Sequence, residues 1–209
     1  MTSIIQDQRA RANAWMLERV DAVMHRLYGG RKKIIYGTLP DRLVEIGAGA
    51  GANLRYYAPH TRLIAIEPNP AMHPLLRDRA VQHSIRLEIH ACGAEQIDLP
   101  DRSVDAVVGT LVLCSVQNPQ AVVGEALRIL RPGGRYVFLE HVAALPGSPL
   151  RGLQQILLRP WRWLFEGCHL NRDSHAVIAG AGFAHVQMDC FLQSRLMPFA
   201  PHIFGVAVK

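Results

Sequence analysis

The stretch Leu43–Tyr57, LVEIGAGAGANLRYY, leaves an apolar run and at once places Gly47, Gly49 and Gly51 in alternation, with Glu45 just ahead of them. Glycine loses more backbone entropy on folding than other residues and packs no side chain. Three glycines so close together mark a backbone that turns sharply or lets another molecule approach it. A tight strand-to-helix turn without a ligand would explain one of them and hardly all three.

The rest of the chain frames that loop. Short apolar, β-branched runs are predicted as strands at Leu43–Ile46, Leu63–Ile66, Ile85–Ile89, Val104–Val108, Tyr136–Leu139, Val186–Cys190 and Ile203–Val208. Helical patterns alternate with them. Val20, Val23, Met24 and Leu27 predict an amphipathic helix over roughly Asp7–Leu27. Asn118 followed by Pro119 reads as an N-cap with proline in the first turn. Val123, Ala126, Leu127 and Leu130 then line one face, and Pro132-Gly133-Gly134 stops the helix. Nearly continuous apolar strands separated by helices indicate a doubly wound, mostly parallel α/β sheet covered on both faces. In such a sheet the turn after the first strand faces the ligand crevice, and the next helix starts there.

The segment Gly147–Leu170 breaks the rhythm, carrying Leu150, Leu153, Ile156, Leu157 and then RPWRWLFEGCHL. It is too long for a simple crossover. A lid over the carboxyl edge of the sheet accounts for it. Trp161, Trp163 and Phe165 are interleaved with Arg151, Arg159 and Arg162, a pattern that also suits peripheral contact with a membrane through residues 150–165. The lid is the preferred reading, because an aliphatic acceptor needs the same apolar wall.

Composition narrows the classes. The 209 residues suffice for one domain, 1–209, with residues 1–40 as a helical cap and 145–172 as the insertion. The net charge of +6 would suit an anionic partner, but the basic residues are scattered, so no nucleic-acid arm is expected. Arg31-Lys32-Lys33 reads as a solvated helix end. Cys92, Cys114, Cys168 and Cys190 are far apart, with no paired spacing for zinc or a redox motif. Met1–Asp7 lacks the pattern of a signal peptide, and no run approaches a membrane span. Reduced cysteines in a cytoplasmic protein follow as an expectation.

The glycines leave two ligands open. Gly47, Gly49 and Ala52 satisfy the dinucleotide pattern with alanine last, and Glu67 lies 20 residues after Gly47, where an acid suits a ribose diol in either case. Three further features separate them. Glu45 is ionisable where a dinucleotide strand is usually apolar, Asp105 begins the fourth strand, and LRILRPGGRYVFLE makes a glycine hairpin into the fifth. Together, from Leu43 through Glu140, these resemble the class I S-adenosylmethionine-dependent methyltransferases. The resemblance implies a Rossmann-like methyltransferase fold of seven strands, the last running antiparallel. It also implies S-adenosylmethionine as cofactor. Glu45, Gly47, Gly49, Gly51 and Asn53 would hold its amino-acid end, Glu67 the ribose hydroxyls, and Pro68 and Asn69 the border of the adenine. Thr110 and Leu111 would lie under the methionine moiety. The family's Gly-Asp-Ala-Glu reads Cys92-Gly93-Ala94-Glu95 here, so the acid at the adenine amine is missing, leaving Ala94 through its N–H as an adenine contact and Glu95 either in place of the acid or at the surface.

GANLRYY, EPNP, TLVLCSVQ, LRPGG, EHV, EGCHLNR and the terminal PHIFGVAVK are more narrowly similar to the alkyl thiol methyltransferases of the methyltransferase-like seven group. Animal members carry an N-terminal membrane anchor; a short polar helix is expected here instead, so the resemblance does not carry membrane residence over. The resemblance implies methyl transfer to the sulfur of a small apolar thiol. The sulfonium methyl is already activated, so a nucleophile held in line at about 3–3.5 Å suffices. Only a few per cent of a thiol of pKa ~8.5 is ionised at neutrality, and a neighbouring His or Arg raises that fraction. No metal is needed, and the ten histidines show no ligand spacing. His141, directly after the fifth strand, is the catalytic candidate, against the alternative that it merely caps the strand. Arg172 and His202 are candidates for the acceptor pocket, against the alternative of surface roles. Cys114 and Cys168 read as small buried apolar residues without a nucleophilic role. The rival acceptors are a phospholipid amine or a quinone-type ring, and the rival class is a non-catalytic cofactor-binding protein.

Overall fold

The computed structural model describes residues 21–165 and 167–209. The part of the expected first helix before residue 21 lies outside them. From residue 21 a helix, α1, continues to residue 36, past the predicted end at Leu27. The reason is a second set of inward residues: Tyr28, Lys32, Ile35 and Tyr36 recur at helical spacing and are all buried. The expectation of a solvated basic run is therefore corrected at Lys32, which is 5% exposed and turns inward.

The chain divides into two compact units, Met1–Gly93 and Ala94–Lys209. The first holds β1 (Arg42–Ile46), β2 (Arg62–Ile66), α2 (His73–Gln82) and β3 (Arg86–His90). β1 and β2 are buried at every residue after the first, in keeping with apolar runs that only Glu45 in β1 interrupts. β2 pairs in parallel with β1 and with β3, Val44 lying against Ile64 and Ile64 against Glu88. β3 is only half-buried, as befits an edge.

The second unit holds β4 (Val104–Thr110), α3 (Pro119–Ile129), β5 (Leu130–His141), α4 (Pro149–Leu164), α5 (Ser174–Ala179), β6 (His185–Leu192) and β7 (Pro201–Val208). Asn118 caps α3 as expected, its side chain accepting from the Ala121 N–H at 3.0 Å. β4 runs parallel to β5, whereas β7 is antiparallel to both β5 and β6. The sheet order is β3-β2-β1-β4-β5-β7-β6, seven strands with the last one reversed. β6 alternates exposed and half-buried residues, an outer strand with one solvated face.

The insertion is helical. Ser148 caps α4 by accepting from the Arg151 N–H, and Pro149 occupies the first turn. Gln154, fully buried, fixes the helix: its amide oxygen accepts from the Ala144 N–H at 2.9 Å and its nitrogen donates to the Val142 and Pro198 carbonyls. Trp161 packs on Phe165 and Phe199, with ring centres at 4.1 and 5.1 Å, while Leu153, Ile156, Trp163 and Leu164 face outward.

Candidate active site

In the first unit the glycine loop follows β1, and Gly47, Gly49 and Gly51 all have positive φ. Their uses differ. A Cβ on Gly49 would meet nothing within 4 Å, so the loop leaves open space there. A Cβ on Gly51 would lie 3.0 Å from Leu76 Cδ1 and 3.3 Å from Leu54 Cδ1, so this glycine serves the loop's own packing.

Glu67, at the end of β2, ties the loop to the next turn. One carboxylate oxygen accepts from the Gly49 N–H and the other from the Asn69 N–H, both at 2.8 Å. Asn69 in turn caps the short turn Pro70–Met72 by accepting from the Ala71 N–H, while Pro68 lies exposed beside it. Glu45 sits below the loop, 1% exposed, and accepts from Asn53 Nδ2 at 2.6 Å and from the Tyr57 hydroxyl at 3.0 Å. Lys32 Nζ donates to Asn53 Oδ1 at 2.7 Å, completing a buried chain Lys32–Asn53–Glu45–Tyr57. Burial pushes Glu45 up to about 7, opposed by its hydrogen bonds to Asn53 and Tyr57, and burial lowers Lys32 to about 8. Glu45 thus braces the loop through Asn53 and Tyr57. Lys32 escaped the sequence reading, although its spacing from Tyr28 and Tyr36 was a usable signal.

In the second unit the end of β4 and the turn after it carry Thr110 and Leu111. Thr110 ends the strand, and Leu111 has φ +54°, a conformation that costs a non-glycine residue about 1–2 kcal/mol. Its neighbours hold it there. Leu111 N–H donates to the Leu139 carbonyl, and Glu140 Oε1 accepts from the Val112 and Leu113 N–H groups at 3.0 and 3.1 Å. Glu140 is fully buried, burial raises it to about 7, and its Oε2 has no partner. Arg172 closes the turn from the other side, donating to the Leu113 and Val116 carbonyls, each at 2.6 Å. Ala94 is buried, and Glu95 accepts from the Gln117 and Asn118 N–H groups, anchoring the entry to α3.

This framework aims Cys114 at the end of β5. There His141, 5% exposed, sets Nε2 3.2 Å from Cys168 Sγ, and the donor atoms of Cys114, His141 and Cys168 all lie within 4.8 Å of one another. The Cys168 thiol is held below its ordinary range, chiefly by the Cys114 thiol donating to it and then by His141, while Cys114 is pushed well above. The other imidazole nitrogen, Nδ1, is buried without a partner. Phe199 and His202 flank the ring at 5.8 and 6.3 Å, and Phe191 stacks on His202. His202 is buried and engages the Ala200 carbonyl. The reading of both cysteines as plain apolar filler is corrected, because each is a polar partner in this cluster. No local spacing signalled it, since its members come from three separate segments.

A seven-stranded sheet with β7 reversed between β5 and β6, joined to a glycine loop after β1 and an acid ending β2, has the features of the S-adenosylmethionine-dependent methyltransferase class. The family described as "Methyltransferase domain" matches residues 44–138. Human thiol S-methyltransferase TMT1A is 35% identical over 208 residues, 93% of this chain and 85% of that protein. Rat thiol S-methyltransferase TMT1B is 39% identical over 171 residues, 80% of this chain and 70% of that one. A solved SAM-dependent methyltransferase from Thermotoga maritima, a possible histamine N-methyltransferase, superposes with a TM-score of 0.68 at 20% identity, covering 97% of this chain and 98% of its own. The chain belongs to the thiol S-methyltransferase family, and its cofactor is S-adenosylmethionine.

Proposed function

We propose that the protein methylates the sulfur of a small apolar thiol. The setting of His141 carries the reading: a buried imidazole at the carboxyl end of β5, against a cysteine sulfur and among Phe199, His202 and the α4 aromatics. A buried surround of aromatic rings with imidazoles at its edge suits an aliphatic group bearing an ionisable sulfur, and the thiol S-methyltransferase relatives support the same acceptor. In the reaction the thiol loses its proton with help from His141. The thiolate attacks the methyl carbon, the carbon–sulfonium bond breaks with its electron pair going to the departing sulfur, and a thioether and S-adenosylhomocysteine result.

The cofactor roles are part of the same proposal. In the first unit Gly47, Gly49 and Gly51 with Asn53, braced by Glu45, hold the amino-acid end, Glu67 the ribose, and Pro68 and Asn69 the adenine border. In the second, Ala94 and Glu95 contribute to the adenine contact and Thr110 and Leu111 to the methionine moiety. The open space over Gly49 and the paired oxygens of Glu67 support these assignments.

Labelled methyl transfer tests the acceptor. An alkyl thiol should be methylated, whereas the matching alcohol, a phosphatidylethanolamine vesicle and a quinol should not; transfer to the lipid or quinol with none to the thiol would reject the reading. His141→Ala should cut thiol turnover by about 10²–10⁴-fold while leaving S-adenosylhomocysteine affinity unchanged. Full turnover in that variant would remove His141 from catalysis. We further place the protein in the cytoplasm, with the outward face of α4 (Leu153, Ile156, Trp163 and Leu164) touching a membrane surface. Among the described residues no helix is long and apolar enough to cross a membrane. Sedimentation with anionic vesicles, lost in Trp163→Glu, tests that contact.

A further inference from the structure

The cluster at the end of β5 has a composition that the methyl transfer itself does not call for. Two sulfurs and one imidazole nitrogen, from residues 114, 141 and 168, converge within 4.8 Å while all three residues are buried. We propose that Cys114, His141 and Cys168 bind a zinc ion whose fourth position receives the acceptor thiol as thiolate. The inference rests on the thiol reading above and supplies the means by which the acceptor is ionised, His141 assisting as a ligand of the ion instead of taking the proton itself.

Ligand type comes first. Two thiolates and an imidazole are a soft donor set, the kind that selects zinc over the hard cations. Charge agrees, because a divalent ion neutralises two thiolates at a buried position where a bare pair would be costly. Geometry agrees as well. Tetrahedral zinc, with bonds of about 2.3 Å to sulfur and about 2.0 Å to nitrogen, separates its ligand atoms by roughly 3.5–3.8 Å. The present 3.2 Å contact between His141 Nε2 and Cys168 Sγ has only to open by a few tenths of an ångström.

The number of ligands points to the role. Structural zinc sites are closed by four protein ligands, and catalytic ones keep three and leave a position open. Among the described residues no fourth histidine, cysteine or carboxylate joins the group. Glu140, the nearest acid in sequence, commits one oxygen to the Val112 and Leu113 amides, and its other oxygen is not among the converging atoms. The ligands are also held before any ion arrives. Glu140 and Arg172 clamp the turn that carries Cys114, and the His169 N–H donates to the Cys114 carbonyl at 2.8 Å, linking that turn to the segment of Cys168. An acceptor thiol entering the open position gives its proton to solvent and binds as thiolate. When the sulfur takes the methyl group its bond to the ion weakens, and the neutral thioether leaves.

The test uses the full chain, stripped with a chelator and reloaded. Elemental analysis should find one zinc per chain in the wild type and in Cys92→Ser and Cys190→Ser, with loss of at least tenfold in affinity for Cys114→Ser, Cys168→Ser and His141→Ala. Cobalt in place of zinc should give a thiolate-to-metal charge-transfer band that shifts when an alkyl thiol is added. This spectrum is read on the wild type, so the conclusion does not depend on every variant folding. Absence of metal binding at micromolar zinc, retention of zinc by the serine variants, or a Cys114–Cys168 disulfide in its place would overturn the site. A cobalt band indifferent to added thiol would overturn the open position. Thiol methylation by a metal-free protein would sink this inference and leave the proposed function standing, whereas zinc binding with no thiol methylation would do the reverse.

Discussion

Glu67→Ala should act twice, and the two effects can be measured apart. The carboxylate accepts from the Gly49 and Asn69 amides at 2.8 Å each, and the residue is 6% exposed. Hydrogen bonds to a charged group contribute about 1.5–3 kcal/mol each, which sets an upper range of roughly 3–6 kcal/mol for removing both. Gly49 and Asn69 are only half-buried, so water can reach the freed amides and lower the cost. The expected loss of folding stability is therefore about 2–4 kcal/mol, measured by urea denaturation. Calorimetry under conditions where the variant is folded should also show S-adenosylhomocysteine binding at least tenfold weaker, because the proposed ribose acceptor is gone and the loop is loosened. A stability change below about 0.5 kcal/mol would refute the claim that Glu67 holds the loop. An unchanged dissociation constant would remove it from the cofactor site.

The two glycines should separate binding from packing. Gly49→Ala adds a methyl into open space at φ +54°, so it should weaken cofactor binding more than stability. Gly51→Ala meets Leu76 and Leu54 at φ +83° and should cost about 2–3 kcal/mol of stability, read by the same denaturation assay. The buried acid gives a signed pH effect. Glu45 is raised from 4.5 to about 7, so the native state binds the extra proton between those values, and its contribution to stability is lost as pH rises through about 7. Lys32 is lowered from 10.5 to about 8, so its contribution is lost as pH falls from 10.5 through about 8. Denaturation midpoints against pH should therefore differ in slope between wild type and Glu45→Gln over the acid window; parallel curves would refute the burial argument.

Much of this molecule was legible before its structure. All seven strands appear where apolar, β-branched runs were bounded by turn residues: the inner strands are covered on both faces and leave a nearly continuous apolar mark, while the half-covered β3 and β6 keep enough apolar residues to show. The cap at Asn118 and the positive φ of the glycine loop follow from local backbone chemistry, which a short window of sequence contains. The same window misjudged the start of the chain. α1 runs on to residue 36 because Tyr28, Lys32, Ile35 and Tyr36 find a buried face, and a basic run reveals its burial only when a partner such as Asn53 stands opposite.

The sequence by itself determined the fold class and the glycine loop with its acid at the end of β2, since each depends on residues close together in the chain. Only the tertiary structure decided that Gly51 packs while Gly49 stays open, that Glu140 and Arg172 clamp the turn after β4, and that Cys114 and Cys168 meet His141. Those outcomes depend on the parallel register of β4 with β5 and on where the chain returns after α4. Proximity between residues 114, 141 and 168 is a product of that packing, and no period or spacing along the chain records it.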